Sequence, residues 1–439
     1  MRTLRLEAAH VPRVRQLEAA RAVRRDERDF HRLWAGDAVS QLGSQITLLA
    51  LPLAAVVTLH ASGGQVGLLQ TLYTLSFLMV PLPAGVWLEH RTRRPVLVAT
   101  NLVCAALVVS LPLAAALGRL GMAQLYAVAA LGGAATVISD VGKFTLVPEL
   151  VGTDRLAVSN SKLNAGLAVG ATAGPGLAGW LTAWIGAPNA LLADGFSYLV
   201  CAGAVASLRH RETLRDASPA AAGRNLRGEV VAGLRTVFAT PPVRCIGIFG
   251  AIYNSGLQMV SIALIVLVVR DLGFGSAAFG AIMVFGGVGA VMGTVLAPSL
   301  IRAVGHGPAL LGTLLLSVQA FWLLPLAHGG RLAMVAWCSV ALLAGSAGSS
   351  VAGVVATTVR LLLTPPELHA RMNASYRLLT FGTIPVGALA GGLLVQWVGA
   401  HTVLWIAAAV LVASVSLLAQ RPVRSLGRVL IQATPVPST

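Results

Sequence analysis

A chain of 439 residues in which 56% are hydrophobic and only 11% are charged is too apolar for a water-soluble domain of that size. Its formal charge of +16 would suit nucleic acid in a soluble protein, yet all but Arg119, Arg270 and Arg331 of its 32 Lys and Arg residues fall in segments expected on one side of a membrane. The basic balance is therefore topological and points to anionic lipid, not nucleic acid, as its partner.

Along the chain, residues 1–30 are charged throughout and carry neither an apolar core nor a small-residue cleavage site, so they read as a basic cytoplasmic segment lying at the membrane surface. Twelve apolar stretches follow, each long enough at about 1.5 Å per residue to cross about 30 Å of hydrocarbon. They span 33–59, 65–88, 95–117, 122–147, 160–184, 187–208, 243–269, 276–301, 307–327, 332–358, 374–397 and 400–419. The one long hydrophilic interruption, 209–242, separates a six-helix bundle over 31–208 from a second over 243–420. Within it Leu226, Val230, Leu234 and Phe238 recur every four residues between arginines, the pattern of an amphipathic surface helix. A tail over 421–439 closes the chain. The expected fold is all-α and integral to the membrane, with both termini cytoplasmic. Cys104, Cys201, Cys245 and Cys338 stand alone in or beside spans, and read as buried thiols, not metal ligands or disulfide partners. Because all basic residues but Lys143 and Lys162 are Arg, and Ala and Gly abound, a GC-rich bacterial gene and a bacterial plasma membrane are expected.

Shifted against itself by 213 residues, the sequence repeats without a gap. Gly174, Gly179, Leu181, Trp184, Gly186 and Ala187 fall on Gly387, Gly392, Leu394, Trp397, Gly399 and Ala400. The same register pairs Gln45 with Gln258, Gly67 with Gly280, Pro95 with Pro308, Gly132 with Gly345 and Asn160 with Asn373. One register serving several span pairs predicts two halves of the same orientation, related by an axis along the membrane normal.

The loop after the second span runs from Gly85 through Glu89 and His90 to Arg93, Arg94 and Pro95. It resembles the signature loop of the major facilitator superfamily, G-x-x-x-D-R-x-G-R-R. Gly85, Arg93 and Arg94 match, Glu89 stands for the acid, and His90 and Thr92 depart from the pattern. The resemblance implies a conformational latch made by Glu89 with Arg93 and Arg94; a merely basic inner loop is the plainer alternative. In the fifth span Gly170, Gly174, Pro175 and Gly179 are similar to that superfamily's antiporter motif, G-x-x-x-G-P-x-x-G-G, with Ala178 for one Gly. Glycines four apart let helices approach closely and Pro175 removes a backbone donor, so the segment reads either as a packed, bendable gate of an exporter or as ordinary small-residue packing. The phrases RLWAGDAVSQLGSQ, LVPELVGTDRL and ADGFSYL look most like the drug-efflux branch that contains macrolide and siderophore exporters. The fourth span lacks the mid-membrane Arg of the R-x-x-x-G motif of many proton antiporters, a departure that bears on proton coupling.

Three acids lie inside spans, where a charge costs roughly 2.5–3.5 kcal/mol on insertion scales: Asp37, Asp140 and Asp194. Their repeat partners are Gly250, Gly353 and Ala407, so intramembrane acidity belongs to the first half. Asp140 stands three residues before Lys143 and can form a neutral pair with it; Asp37 can stabilise a helix N-terminus. Asp194 has no local basic partner and is a proton carrier or a hydrogen-bonded strut. All three are candidates for proton coupling. Gln41 and Gln45, and Tyr253, Asn254 and Gln258, are the polar residues expected either to line a substrate cavity or to bond between helices.

The sequence thus predicts a secondary transporter that exports a small amphipathic or lipophilic compound, a drug or secondary metabolite, by proton antiport, with a consequent role in antibiotic resistance. It predicts no cofactor, no metal and no catalytic residue, with protons, membrane lipid and a small molecule as partners and a monomer as the working unit. An uptake permease or uniporter of the same fold is the rival reading, and a membrane-embedded transferase a more distant one. No G-x-x-x-x-G-K-[ST] loop occurs, which leaves an ion gradient as the energy source.

Overall fold

In hydrocarbon each unsatisfied backbone N–H or C=O costs several kcal/mol, so a chain this apolar must close its backbone hydrogen bonds within helices. The computed structural model describes residues 3–89, 91–209, 212, 235, 237–365 and 368–418. Among these residues every regular element is helical. The first half holds α1 (Thr3–Leu53), α2 (Gly63–Met79), α3 (Pro81–Glu89), α4 (Arg93–Ala116), α5 (Met122–Ile185) and α6 (Ala187–Ala206). The second holds α7 (Pro241–Ile265), α8 (Gly275–Val304), α9 (His306–Trp322), α10 (Arg331–Leu363), α11 (His369–Phe381), α12 (Ile384–Val398) and α13 (Ala400–Leu418). Eight of the described helical segments are long and apolar enough to cross a membrane, and α2 with α3, bent by 43°, makes a ninth.

Several expected boundaries differ. The basic segment and the first span are one helix, α1, with no break near residue 30. The fourth and fifth stretches run together as α5, interrupted at Gly152, whose φ of 68° and ψ of 170° lie where glycine alone sits at little cost. Pro175 leaves the helical backbone of α5 intact. The amphipathic helix expected over Leu226, Val230 and Leu234 and the tail over 421–439 lie outside the described residues; Phe238, the last of that stripe, is exposed. All four cysteines are free and buried.

The repeat is visible in the backbone. Wide π-helical turns end the first helix of each half, at Ala54–Thr58 and Val266–Asp271, and overlap under the 213-residue shift. Helices begin at Arg93 and His306, and at Ala187 and Ala400, in that same register. Gly186 and Gly399, with φ of 84° and 83°, make the same tight turn before α6 and α13.

Within the first half α1 packs on α5 and α6, and α4 on α5 and α6; within the second α8 and α9 pack on α10, and α7 on α12 and α13. The halves join through α2 on α12 and α5 on α8. At the first joint a Cβ on Gly67 would stand 2.8 Å from the Gly392 Cα, and at the second a Cβ on Gly179 would stand 2.7 Å from the Gly280 Cα. Gly280 is the repeat partner of Gly67 and Gly392 that of Gly179, so one glycine crossing is used twice.

Candidate functional site

Polar side chains recur at helical spacing on two helices of the first half: Asp37, Ser40, Gln41, Ser44 and Gln45 on α1, and Thr136, Ser139, Asp140 and Lys143 on α5. Because α1 packs on α5, these stripes face each other and, Asp37 apart, surround with Tyr73 and Phe77 of α2, Asn101 of α4 and Tyr198 of α6 an open cavity of about 210 Å³. Its polar wall is pre-ordered. The Tyr198 hydroxyl lies 3.2 Å from the Ser44 hydroxyl, and Asn101 Nδ2 donates to the Leu97 carbonyl at 2.7 Å and to Ser139 Oγ at 3.3 Å.

At one end of the cavity Lys143 Nζ pairs with Asp140 Oδ1 at 2.8 Å and with Asp37. Asp37 reaches this site from the interior of α1, so it does not stabilise a helix N-terminus as the sequence allowed. The local pair of Asp140 and Lys143 forms as expected, but Asp37 adds a second carboxylate and leaves the three groups with a net charge of −1 when ionised. Side-chain exposure falls from 33% at Asp140 to 12% at Lys143 and 6% at Asp37, which makes Asp140 the open member.

Asp194 is fully buried in α6. Thr47 Oγ1 donates to its Oδ2 at 2.5 Å and Ser197 Oγ to its Oδ1 at 2.9 Å, and among the described residues no ion pair with Lys or Arg is formed. The approach of α1 depends on Gly43, where a Cβ would stand 2.5 Å from Asp194 Oδ1. The acid thus sits between α1 and α6, held by two hydroxyls that can accept or release their hydrogen bonds as its proton state changes.

The small-residue motif of α5 makes contacts with both halves. A Cβ on Gly170 would lie 3.3 Å from the Gln41 carbonyl oxygen, and one on Gly174 would lie 2.3 Å from the Gln45 Cβ, while Gly179 meets Gly280. Pro175 follows Gly174, and its carbonyl oxygen would stand 2.8 Å from a Cβ on Gly280. Gln41 and Gln45 line the cavity. Tyr253 does not: it is buried in α7 with its hydroxyl 2.7 Å from Ser317 Oγ of α9. Asn254 Nδ2 donates to the Thr380 carbonyl at 2.9 Å, tying α7 to α11, and Gln258 is half-buried on α7.

The charged loop after α3 differs from its expected pairing. Glu89 ends α3, but the carboxylate on Arg93 is that of Glu149, with Nη1 to Oε1 at 2.9 Å. Glu212 accepts from the backbone N–H groups of Arg93 and Arg94, at 2.6 Å for the latter, so a carboxylate caps the positive end of α4. The Arg94 guanidinium donates to the Ala206 carbonyl at the end of α6. Gly85, the first residue of the loop pattern, has open space where a Cβ would stand. The arginines therefore clamp α4, α5 and α6 together, through acids that no local spacing marks.

Sequence reasoning also passed over Tyr73, Phe77, Asn101 and Tyr198. The signal available was the occurrence of Thr136, Ser139, Asp140 and Lys143 at helical spacing within one apolar span, which marks a face that cannot meet lipid.

Residues 33–382 match the profile of the Major Facilitator Superfamily. No curated protein sequence matches the chain. Among solved structures, a bacterial homologue of the iron transporter ferroportin in an inward-facing state is similar with a TM-score of 0.73 at 17% identity, covering 89% of this chain and 98% of that one. A bacterial homologue of ferroportin in an outward-facing state gives a TM-score of 0.56 at 19% identity over the same shares. The nucleoside transporter NupG gives 0.70 at 13% identity, covering 89% of this chain and 98% of that one. A bacterial homologue of the human lysosomal transporter Spinster, inward-facing and unoccupied, gives 0.66 at 13%, covering 94% and 99%. At these identities the likeness is one of fold.

Proposed function

Because the chain belongs to the Major Facilitator Superfamily, whose members are membrane transporters and not enzymes, we propose that it is a secondary active exporter of a small amphipathic or lipophilic compound, driven by proton antiport. The observation that carries this reading is Asp194: a fully buried carboxylate, held by Thr47 and Ser197 and, among the described residues, without a cation, in the same helical bundle as the cavity. A carboxylate so placed in a membrane protein is a candidate functional site, and its burial without a cation supports a proton-carrying role. Asp37 and Asp140, in contrast, share Lys143 as a standing partner.

In this reading α2 and α3 form one bent span, α5 two spans divided at Gly152, and α11 with α12 one span, giving twelve in two bundles of six over 31–208 and 243–420. The distribution of Arg supports a reading with both ends of the chain and the 209–242 linker in the cytoplasm of a bacterial cell. The glycine crossings of α2 on α12 and of α5 on α8 then lie near the outer surface and close it, while the cavity faces inward. The higher TM-score with the inward-facing than with the outward-facing ferroportin homologue, 0.73 against 0.56, supports that state. The Gly170, Gly174, Pro175 and Gly179 segment, in contact with the α1 face of the cavity and with α8, supports the antiporter reading because a movement between halves would pass through it. The Arg93–Glu149 clamp with Gly85 and Glu89 beside it serves as the cytoplasmic latch, and the working unit is one chain.

Everted vesicles and intact cells decide the direction: an exporter accumulates its compound in the former and lowers it in the latter. In proteoliposomes, Asp194→Asn should abolish efflux driven by a pH gradient while retaining gradient-free exchange of the compound across the membrane. Gradient-driven efflux at the wild-type rate in that variant would remove Asp194 from the mechanism.

A further inference from the structure

Resting on the transporter reading, we propose that the cavity of the first bundle takes a lipophilic organic monocation, whose charge is received by Asp140 in place of Lys143. Charge is the first ground. Two carboxylates share one ammonium at the end of the cavity, and net negative charge in a low-dielectric site calls for a further cation. Exposure is the second. Asp140 is the most exposed of the three and lines the cavity beside Lys143, whereas Asp37 is not among the lining residues, so a ligand in the cavity meets Asp140 without having to displace Asp37. The long, flexible stem of Lys143 lets its ammonium stay on Asp37 while it releases Asp140. An incoming cation therefore replaces one ion pair with another, and neither buried carboxylate is left bare.

The shape of the cavity supplies the remaining ground. Tyr73 and Phe77 line the same cavity with ring centroids 5.4 Å apart, and Phe77 is 43% exposed, so an aromatic face is free for the apolar body of the ligand. Aromatic faces also favour a neighbouring positive charge. An anion has no such reception. The ammonium of Lys143 is already engaged by two carboxylates, and an anionic ligand would add a third negative group beside them.

Tetraphenylphosphonium and tetraphenylborate, nearly identical in shape and opposite in charge, test the inference in equilibrium binding to the full-length protein in nanodiscs without any ion gradient. The cation should bind the wild type, and the anion about tenfold or more weakly. Asp140→Asn should weaken the cation by about tenfold or more, Asp140→Glu should retain it, and the double variant Asp37→Asn with Lys143→Met, which leaves Asp140 unshared, should tighten it. Equal or stronger binding of tetraphenylborate, or unchanged cation affinity in Asp140→Asn, overturns the proposal. Because no gradient is present, cation binding at Asp140 without pH-driven efflux would refute only the exporter reading. Efflux of another compound without cation binding would refute only this one.

Discussion

Lys143 is held where an unpaired ammonium would be several kcal/mol uphill, and it is tolerated because Asp37 and Asp140 both face it. Lys143→Met leaves two carboxylates side by side with no cation, and should lose about 3–5 kcal/mol of unfolding free energy. Adding Asp37→Asn removes one of the stranded charges and should recover most of the loss, since members of one charge network do not act additively. Denaturant unfolding in mixed micelles of the two single variants and the double variant measures this coupling. Equal losses in Lys143→Met alone and in the double variant would show that the three groups are not a unit. Half of this cluster was legible in the sequence: Asp140 and Lys143 lie one helical turn apart, and any helix there brings them together. Asp37 was visible as an intramembrane acid, but its partner is set by how α1 packs on α5. The same limit explains the latch. The loop pattern located Arg93 and Arg94, whereas the acids that meet them, Glu149 and Glu212, come from elements placed beside α4 only by the fold. Tyr253 was drawn toward the cavity by adjacency to Asn254, but neighbours on a helix point about 100° apart, and its hydroxyl points to Ser317 instead.

The helices themselves were legible because hydrophobic length sets a span almost regardless of detail, and the breaks were less so because they depend on single residues. Gly152 and the bend between Met79 and Pro81 alter the path of the chain without altering its hydropathy. The glycine register, in contrast, carried more information than periodicity alone, since Gly67, Gly179, Gly280 and Gly392 proved to be places where the halves touch backbone to backbone, as Gly287 does against Thr172. A methyl group at Gly280 or Gly392 must push α5 from α8 or α2 from α12, so each Gly→Ala change should weaken the closed joint by about 1–3 kcal/mol. Gly353→Ala is the control, because a Cβ there meets nothing within 4 Å. Labelling of a cysteine near the outer end of α2 by a membrane-impermeant thiol reagent should rise in Gly280→Ala and Gly392→Ala and stay at the parental rate in Gly353→Ala. Unchanged labelling in all three would mean that the crossings do not hold the joint shut.

The two halves share a scaffold but not a chemistry: the acids and the polar cavity lie in the first, while the second contributes the opposing faces of both glycine crossings. A transporter built this way must part α2 from α12 to release its compound outward, because that joint lies across the proposed exit. Ser62, which caps the start of α2, donates through its hydroxyl to Gln396 of α12 at 3.2 Å and so spans the joint directly. Cysteines at these two positions should be joined by a short bifunctional thiol reagent in the resting protein, with little background because the four native cysteines are buried. The joined protein should retain cation binding, which needs only the first half, and should lose efflux. Each single cysteine variant treated with the same reagent should continue to transport. Efflux at the unmodified rate through the joined protein would show that the halves need not separate at this point, and that the proposed inward-facing arrangement is not one end of a cycle that opens there.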